Sequence, residues 1–145
     1  MAIDRTGTGL AILRISIGIF FLFEGLGKVR WFGDSSILAS QFATWSHAAA
    51  PGSVSGWYLH RIAEPGTVYF ARLVPLGEII SGAALIVGFW TPLFAFIAFF
   101  MAVNFQIASG AVFRYAFLTN PYGFPVLGST LALTLAGSRL PWSVH

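Results

Sequence analysis

No cysteine occurs anywhere in the chain. That absence excludes disulfides, thiolate metal ligands and dithiol redox chemistry together. Charge is almost as scarce, at 9% of 145 residues, where soluble domains carry about 25%. No charged residue stands between Glu78 and Arg114. Histidine is limited to His47, His60 and His145; their spacing matches no metal motif, and there is no HExxH and no Glu-x-x-His pair of the di-iron bundle kind. A Gly-rich phosphate loop and a serine nucleophile elbow are also missing. No basic stripe or nucleic-acid motif is present, so the net charge of +3 reads as contact with anionic headgroups near span ends, through Arg5, Lys28, Arg30, Arg61, Arg114 and Arg139.

What fills the chain instead is apolar: 57% hydrophobic and 17% aromatic, with fifteen Phe and five Trp. A soluble core of this size has no room for so much, and the chain reads as a single all-α domain over residues 1–145, an integral membrane four-helix bundle. Four spans of about 20 residues fit the length. They are expected at about 9–29, 67–89, 92–109 and 122–137, after a short polar lead from Met1 to Thr8. Pro75 falls inside the second span and favours a kink. Asn120-Pro121 resembles a helix start ahead of the fourth.

Residues 31–66 form a surface loop of different character, with Pro51, Pro65, several Ser and both internal His. Asp34-Ser35-Ser36 can cap a short amphipathic helix in which Ile37, Leu38, Phe42 and Trp45 recur at helical spacing, and this helix is expected to lie on the membrane. Pro51-Gly52 ends it, and a second short helix is expected around Val54 to Ile62. An even number of spans puts both termini on one side. Basic residues lean the loop toward the cytoplasm, while a Trp-bearing surface helix fits the outer face equally, so orientation stays open.

Two carboxylates sit in runs otherwise suited to lipid. Glu24 follows Ile19-Phe20-Phe21-Leu22-Phe23, and Glu78 lies within Leu73-Val74-Pro75-Leu76-Gly77-Glu78-Ile79-Ile80. A charge at bilayer depth costs a few kcal/mol or more unless it faces protein, water or a partner. At about 100° per residue, Arg14, Gly18, Phe21, Gly25 and Lys28 share one stripe of the first span, and Ala71, Pro75, Glu78, Gly82 and Leu85 share one of the second. Gly18, Gly25 and Gly82 let backbones approach closely. Glu24 and Lys28 are spaced for an i,i+4 structural ion pair. Arg72 points away from Glu78, so Arg14 is the expected partner of Glu78. That pair reads as a catalytic couple or as a structural clasp, and both stay open. In the third span Asn104 and Gln106 point to different faces, and Asn104 is the one expected in helix packing.

These residues resemble a known family. The run from Leu13 to Lys28, with Arg14, Gly18, an apolar stretch, Gly25 and Lys28, resembles the opening of DoxX-like (DoxX/DoxD-type) membrane proteins. The run Gly77-Glu78-Ile79-Ile80-Ser81-Gly82 through Trp90-Thr91 resembles their second span. Glu24 stands where the family more often has another polar residue. The resemblance implies a four-span bundle, with Arg14, Lys28 and Glu78 at matched positions. The family includes the membrane component of a thiosulfate:quinone oxidoreductase. The expected role is therefore a small subunit of a quinone-linked membrane redox assembly in a bacterial or archaeal cytoplasmic membrane, with no covalently bound cofactor and a quinone as the bound molecule. Its expected partners are the lipid bilayer and other membrane subunits or further copies of itself, with no nucleic acid. The alternative is an accessory subunit with no chemistry of its own. A small transporter is a third reading, and the long loop and the charges of the first span count against it.

Overall fold

Asp4 caps the first helix by accepting a hydrogen bond from the Gly7 N–H at 3.0 Å, which satisfies one of the donors that every helix start leaves unpaired. Helix α1, Arg5–Gly27, follows. It begins four residues before the expected span because this cap recruits the polar lead. The computed structural model describes residues 4–120 and 122–144. Pro121 of the expected helix start, the terminal His145 and the first three residues lie outside them.

Among the described residues every regular element is helical. After α1 come α2 (Ser36–Ala48), α3 (Val54–Tyr58), α4 (Thr67–Val87), α5 (Thr91–Ala108) and α6 (Phe124–Leu135). A 3₁₀ turn at Val29–Phe32 leaves α1, a π-turn at Leu59–Ala63 continues α3, and two 3₁₀ turns, Ala111–Phe113 and Tyr115–Thr119, link α5 to α6. Helices α1, α4 and α5 are long and apolar enough to cross a membrane. Pro75 is fully buried and α4 runs unbroken through it. The expected fourth span is helical only over α6, whose 12 residues rise about 18 Å, short of a bilayer core of about 30 Å. The loss is at both ends: Gly123 holds the start, and the helix stops ahead of Gly137 at φ +83°.

Helix α1 packs on α4 and α6, and α5 packs on the same two helices. The α1–α4 contact is the closest because glycines line it. A Cβ on Gly82 would come within 2.4 Å of the Leu22 nitrogen and 2.7 Å of the Gly18 oxygen. One on Gly18 would meet the Ile86 nitrogen at 2.8 Å, and one on Gly25 the Ile79 nitrogen at 2.8 Å and the Pro75 oxygen at 2.9 Å. Backbone thus touches backbone at three places along two antiparallel helices, which fixes their register. Around this seam Ile17, Phe21, Leu85, Ala95, Ala98, Val126 and Leu133 form the main core. Phe23, Leu73, Phe96 and Phe100 stay half exposed or more on the outer faces, as lipid contact requires and a water-facing surface of this extent does not.

The loop helices close one end. The Ser36 hydroxyl and the Ser36 N–H both donate to Asp34 Oδ1, and together they hold the Asp34 carboxyl below its usual range. A carboxyl depressed in this way favours the fold above its ordinary titration range and stops doing so as acid protonates it. Helix α2 turns Leu38 and Phe42 of its apolar stripe onto protein and leaves Ile37 exposed. It buries Leu38 and Phe42 against Leu59, Ala63, Ala71 and Ala108, that is, on the π-turn and on the ends of α4 and α5. The apolar stripe seen in the sequence finds protein because the loop folds back over the helix ends.

The glycine seam makes a direct prediction. Gly82→Val forces the two backbones apart and is expected to lower the unfolding free energy in detergent by at least about 2 kcal/mol. Gly9→Ala, where a Cβ meets nothing within 4 Å, should leave stability unchanged or raise it by up to about 1 kcal/mol. Denaturant titration followed by circular dichroism measures both.

Candidate functional site

The last turn of α1 carries Glu24, and Lys28 caps the helix one turn later. This spacing places the Lys28 ammonium beside the Glu24 carboxylate, with Nζ 2.9 Å from Oε2. Across the seam α4 presents Glu78, whose Oε1 and Oε2 lie 3.0 and 2.9 Å from the same ammonium. The Glu24 backbone oxygen is a fourth acceptor at 3.3 Å. Lys28 and Glu78 side chains are only 14% and 10% exposed, whereas Glu24 is 41% exposed. One cation is therefore shared by two carboxylates. Glu78 and Lys28 are largely shielded, and Glu24 is open. Below them Lys28 Nζ stands 6.0 Å from the Trp31 ring centroid, within reach of a weak cation–π attraction.

This cluster lines a cavity of about 660 Å³ between the helices and the loop. Its walls are mainly apolar and aromatic, with Phe20, Trp31, Phe42, Trp45 and Phe105 among the lining residues. Trp45 meets Phe105 edge to face at 4.9 Å. Uncharged polar residues also line it, Tyr58, Asn104 and Gln106 among them, together with Arg114. The Tyr58 hydroxyl donates to Asn104 Oδ1, and burial pushes the Tyr58 phenol up, which keeps it a neutral donor. Gln106 donates from Nε2 to the Tyr122 carbonyl at 3.1 Å. Large volume, apolar walls and a few convergent polar groups are the usual make-up of a small-molecule site.

Arg14 is not part of it. The expected Arg14–Glu78 pair does not form. The Arg14 side chain is fully buried at the far end of α4, where its Nη1 donates to the Ser143 hydroxyl and Nη2 to the Trp142 carbonyl at 2.9 Å. It occupies the space that a side chain on Gly88 would need: a Cβ there would lie 2.2 Å from Nη1. Gly88 takes φ +77°, a conformation natural to glycine, so it both turns the chain and leaves room for the guanidinium. Gly88 is ten residues, or about 15 Å of helix, beyond Glu78. The Val144 N–H donates to the Val87 carbonyl at 3.1 Å, which secures the same tail.

The register explains why Lys28 takes the place expected for Arg14. With Gly25 against Pro75 and Ile79, and Gly18 against Ile86, Glu78 is level with the end of α1, and Arg14 is carried past Glu78 to the α4–α5 turn. The three glycines, read as a register as well as a packing surface, were the signal in the sequence that separates these two cations. Asn104 reaches Tyr58 of α3 rather than a neighbouring long helix, and Gln106 is the more buried of the two amides. The loop histidines stay apart from the cavity: His60 pairs with Glu64 at 3.0 Å on the surface. Among the described residues no group of three or more His, Asp or Glu is placed to hold a metal.

Comparison with known proteins gives one match. A sequence model of the family described as DoxX matches residues 9–111, a segment that holds Glu24, Lys28 and Glu78 and stops before α6. No curated protein and no solved structure matches the chain.

Lys28→Met leaves the shielded Glu78 carboxylate without its cation and beside the Glu24 carboxylate. Removing one partner of a buried ion pair costs about 3–5 kcal/mol, and a loss of about 3 kcal/mol is expected for this variant in detergent unfolding. Glu24→Gln, at the open end of the cluster, should cost under about 1 kcal/mol. Adding Glu78→Gln to Lys28→Met should recover most of the loss.

Proposed function

Because the chain belongs to the DoxX family, we propose that it is the small membrane subunit of a quinone-linked redox assembly in a bacterial or archaeal cytoplasmic membrane. In this reading the chain crosses the bilayer four times. Helix α6 and its flanking turns complete the fourth crossing, and the bundle of α1, α4, α5 and α6 stands in lipid beside other membrane subunits.

The observation that carries the reading is the cavity with the Glu24–Lys28–Glu78 cluster on its wall. The residues present suit a lipid-soluble quinone. Flat aromatic walls hold a ring, apolar surface accommodates the tail, and a small polar group orients the head. Lys28 holds Glu78 in place, and Glu78 accepts and returns a proton at its carboxylate as the bound carrier changes redox state. Lys28 and Glu78 are largely shielded from solvent, while Glu24 forms the open edge of the cluster. Electrons pass between the bound carrier and a partner subunit carrying flavin, haem or iron–sulfur. Arg14, with its hydrogen bonds to Ser143 and Trp142, fastens the C-terminal tail and takes no part in the chemistry.

The test is turnover of the quinone pool in membranes that hold the assembled complex. Glu78→Gln is expected to lower it about 100-fold, with the assembly intact on a native gel and bound quinone still extractable. Unchanged turnover in Glu78→Gln, together with no quinone in the extract of the purified wild-type complex, overturns the reading and leaves an accessory subunit.

A further inference from the structure

An ammonium group has three N–H donors. Lys28 Nζ faces four acceptors between 2.9 and 3.3 Å: both Glu78 oxygens, Glu24 Oε2 and the Glu24 carbonyl. Its donors are fully engaged within the protein. What the cluster turns to the cavity is therefore acceptor. Glu24 is the open member, at 41% exposure against 14% for Lys28 and 10% for Glu78. Two carboxylates against one ammonium also leave the cluster with formal charge −1, since three of the described side chains contribute −1, +1 and −1. A ligand that reaches this wall meets negative oxygen rather than an available N–H.

We infer that the cavity selects a membrane-soluble aromatic ligand by its hydroxyl groups, and so takes the hydroxyl-bearing, reduced form of a quinone-type carrier in preference to the carbonyl-bearing, oxidised form. The choice of carrier rests on the function proposed above; the donor accounting at Lys28 does not. A hydroxyl donates to the Glu24 carboxylate and also accepts. A quinone carbonyl only accepts, and next to Glu24 it sets oxygen against oxygen. Residues that carry N–H donors also line the cavity, among them Trp31, Asn104 and Arg114. A group that both gives and takes a hydrogen bond uses both kinds of partner. Glu24 is then a specificity-determining residue, acting by direct contact with the hydroxyl. Glu78 is buried deeper and holds Lys28 against it.

The full-length chain in lipid nanodiscs, titrated calorimetrically without oxygen and corrected for empty discs, tests this with three ligands on one decyl-tailed benzene ring: the hydroquinone, its dimethyl ether and the quinone. The ether cannot donate and is redox-inert, and the quinone matches the hydroquinone in size. The hydroquinone is expected to bind at least about tenfold tighter than either, the scale set by one charge-assisted hydrogen bond. Glu24→Gln should bring the three affinities within about threefold, and Glu24→Asp should restore the preference, which a variant damaged only in folding would not show. Equal binding of all three, or tightest binding of the quinone, overturns the selection by hydroxyl and leaves the quinone site standing. No binding of any of the three above empty discs overturns the quinone site and the selection with it.

Discussion

Two helices that touch through their backbones have only one way to line up their side chains. The seam between α1 and α4, where Gly18, Gly25 and Gly82 each stand within about 3 Å of the opposing main chain once a Cβ is imagined, is such a contact. In lipid there is no gain from burying apolar surface between helices, so close van der Waals fit and polar contacts decide association. The glycines supply the fit. The register they impose brings a cation from the end of α1 to a carboxylate in the middle of α4, and the ion cluster, the cavity wall and the position of the tail all follow from it.

The two most shielded cations among the described residues, Arg14 and Lys28, are treated differently. Lys28 stands at the loop end, where a flexible stem lets one ammonium serve two carboxylates. Arg14 stands at the other end, where neutral partners, a hydroxyl and a carbonyl, receive its planar fork. Both solutions give each cation polar partners within the protein. One places charged oxygen on a large apolar cavity; the other locks residues 142–144 over the α4–α5 turn. The partners of Arg14 lie outside the segment shared with the family, residues 9–111, and those of Lys28 lie within it. This division is consistent with a site at the loop end and a fastening at the tail end.

Much of this was legible in the sequence, for reasons of period. The stripes Arg14–Gly18–Phe21–Gly25 and Ala71–Pro75–Glu78–Gly82–Leu85 are the buried faces of α1 and α4, since 3.6-residue periodicity marks one face whatever covers it. The i,i+4 spacing of Glu24 and Lys28 needs only a helix to bring them together. Pairing across helices was harder to read, because periodicity names a face but not a height along it. Face alone pairs Glu78 with Arg14, and the height set by three glycines gives it Lys28. The length of α6 and the docking of α2 on protein were hidden for a related reason. An apolar stripe shows that something covers it, not whether that cover is lipid or the chain's own loop. The stripe favours Asn104 over Gln106, and the Tyr122 carbonyl that holds Gln106 comes from a connection that periodicity does not place.

The central claim is that the glycine register joins Lys28 to Glu78. Solid-state NMR on the full chain in lipid, with ¹⁵N in the lysine and arginine side chains and ¹³C in the glutamate carboxyls, measures it directly. The chain has a single lysine, so its ammonium signal is unambiguous. The account predicts strong dipolar coupling from that ammonium to the Glu78 and Glu24 carboxyl carbons, as oxygen distances of 2.9–3.0 Å require, with Glu78→Gln removing one of the two. Coupling of the Glu78 carboxyl to the Arg14 guanidinium, with none to Lys28, would contradict it.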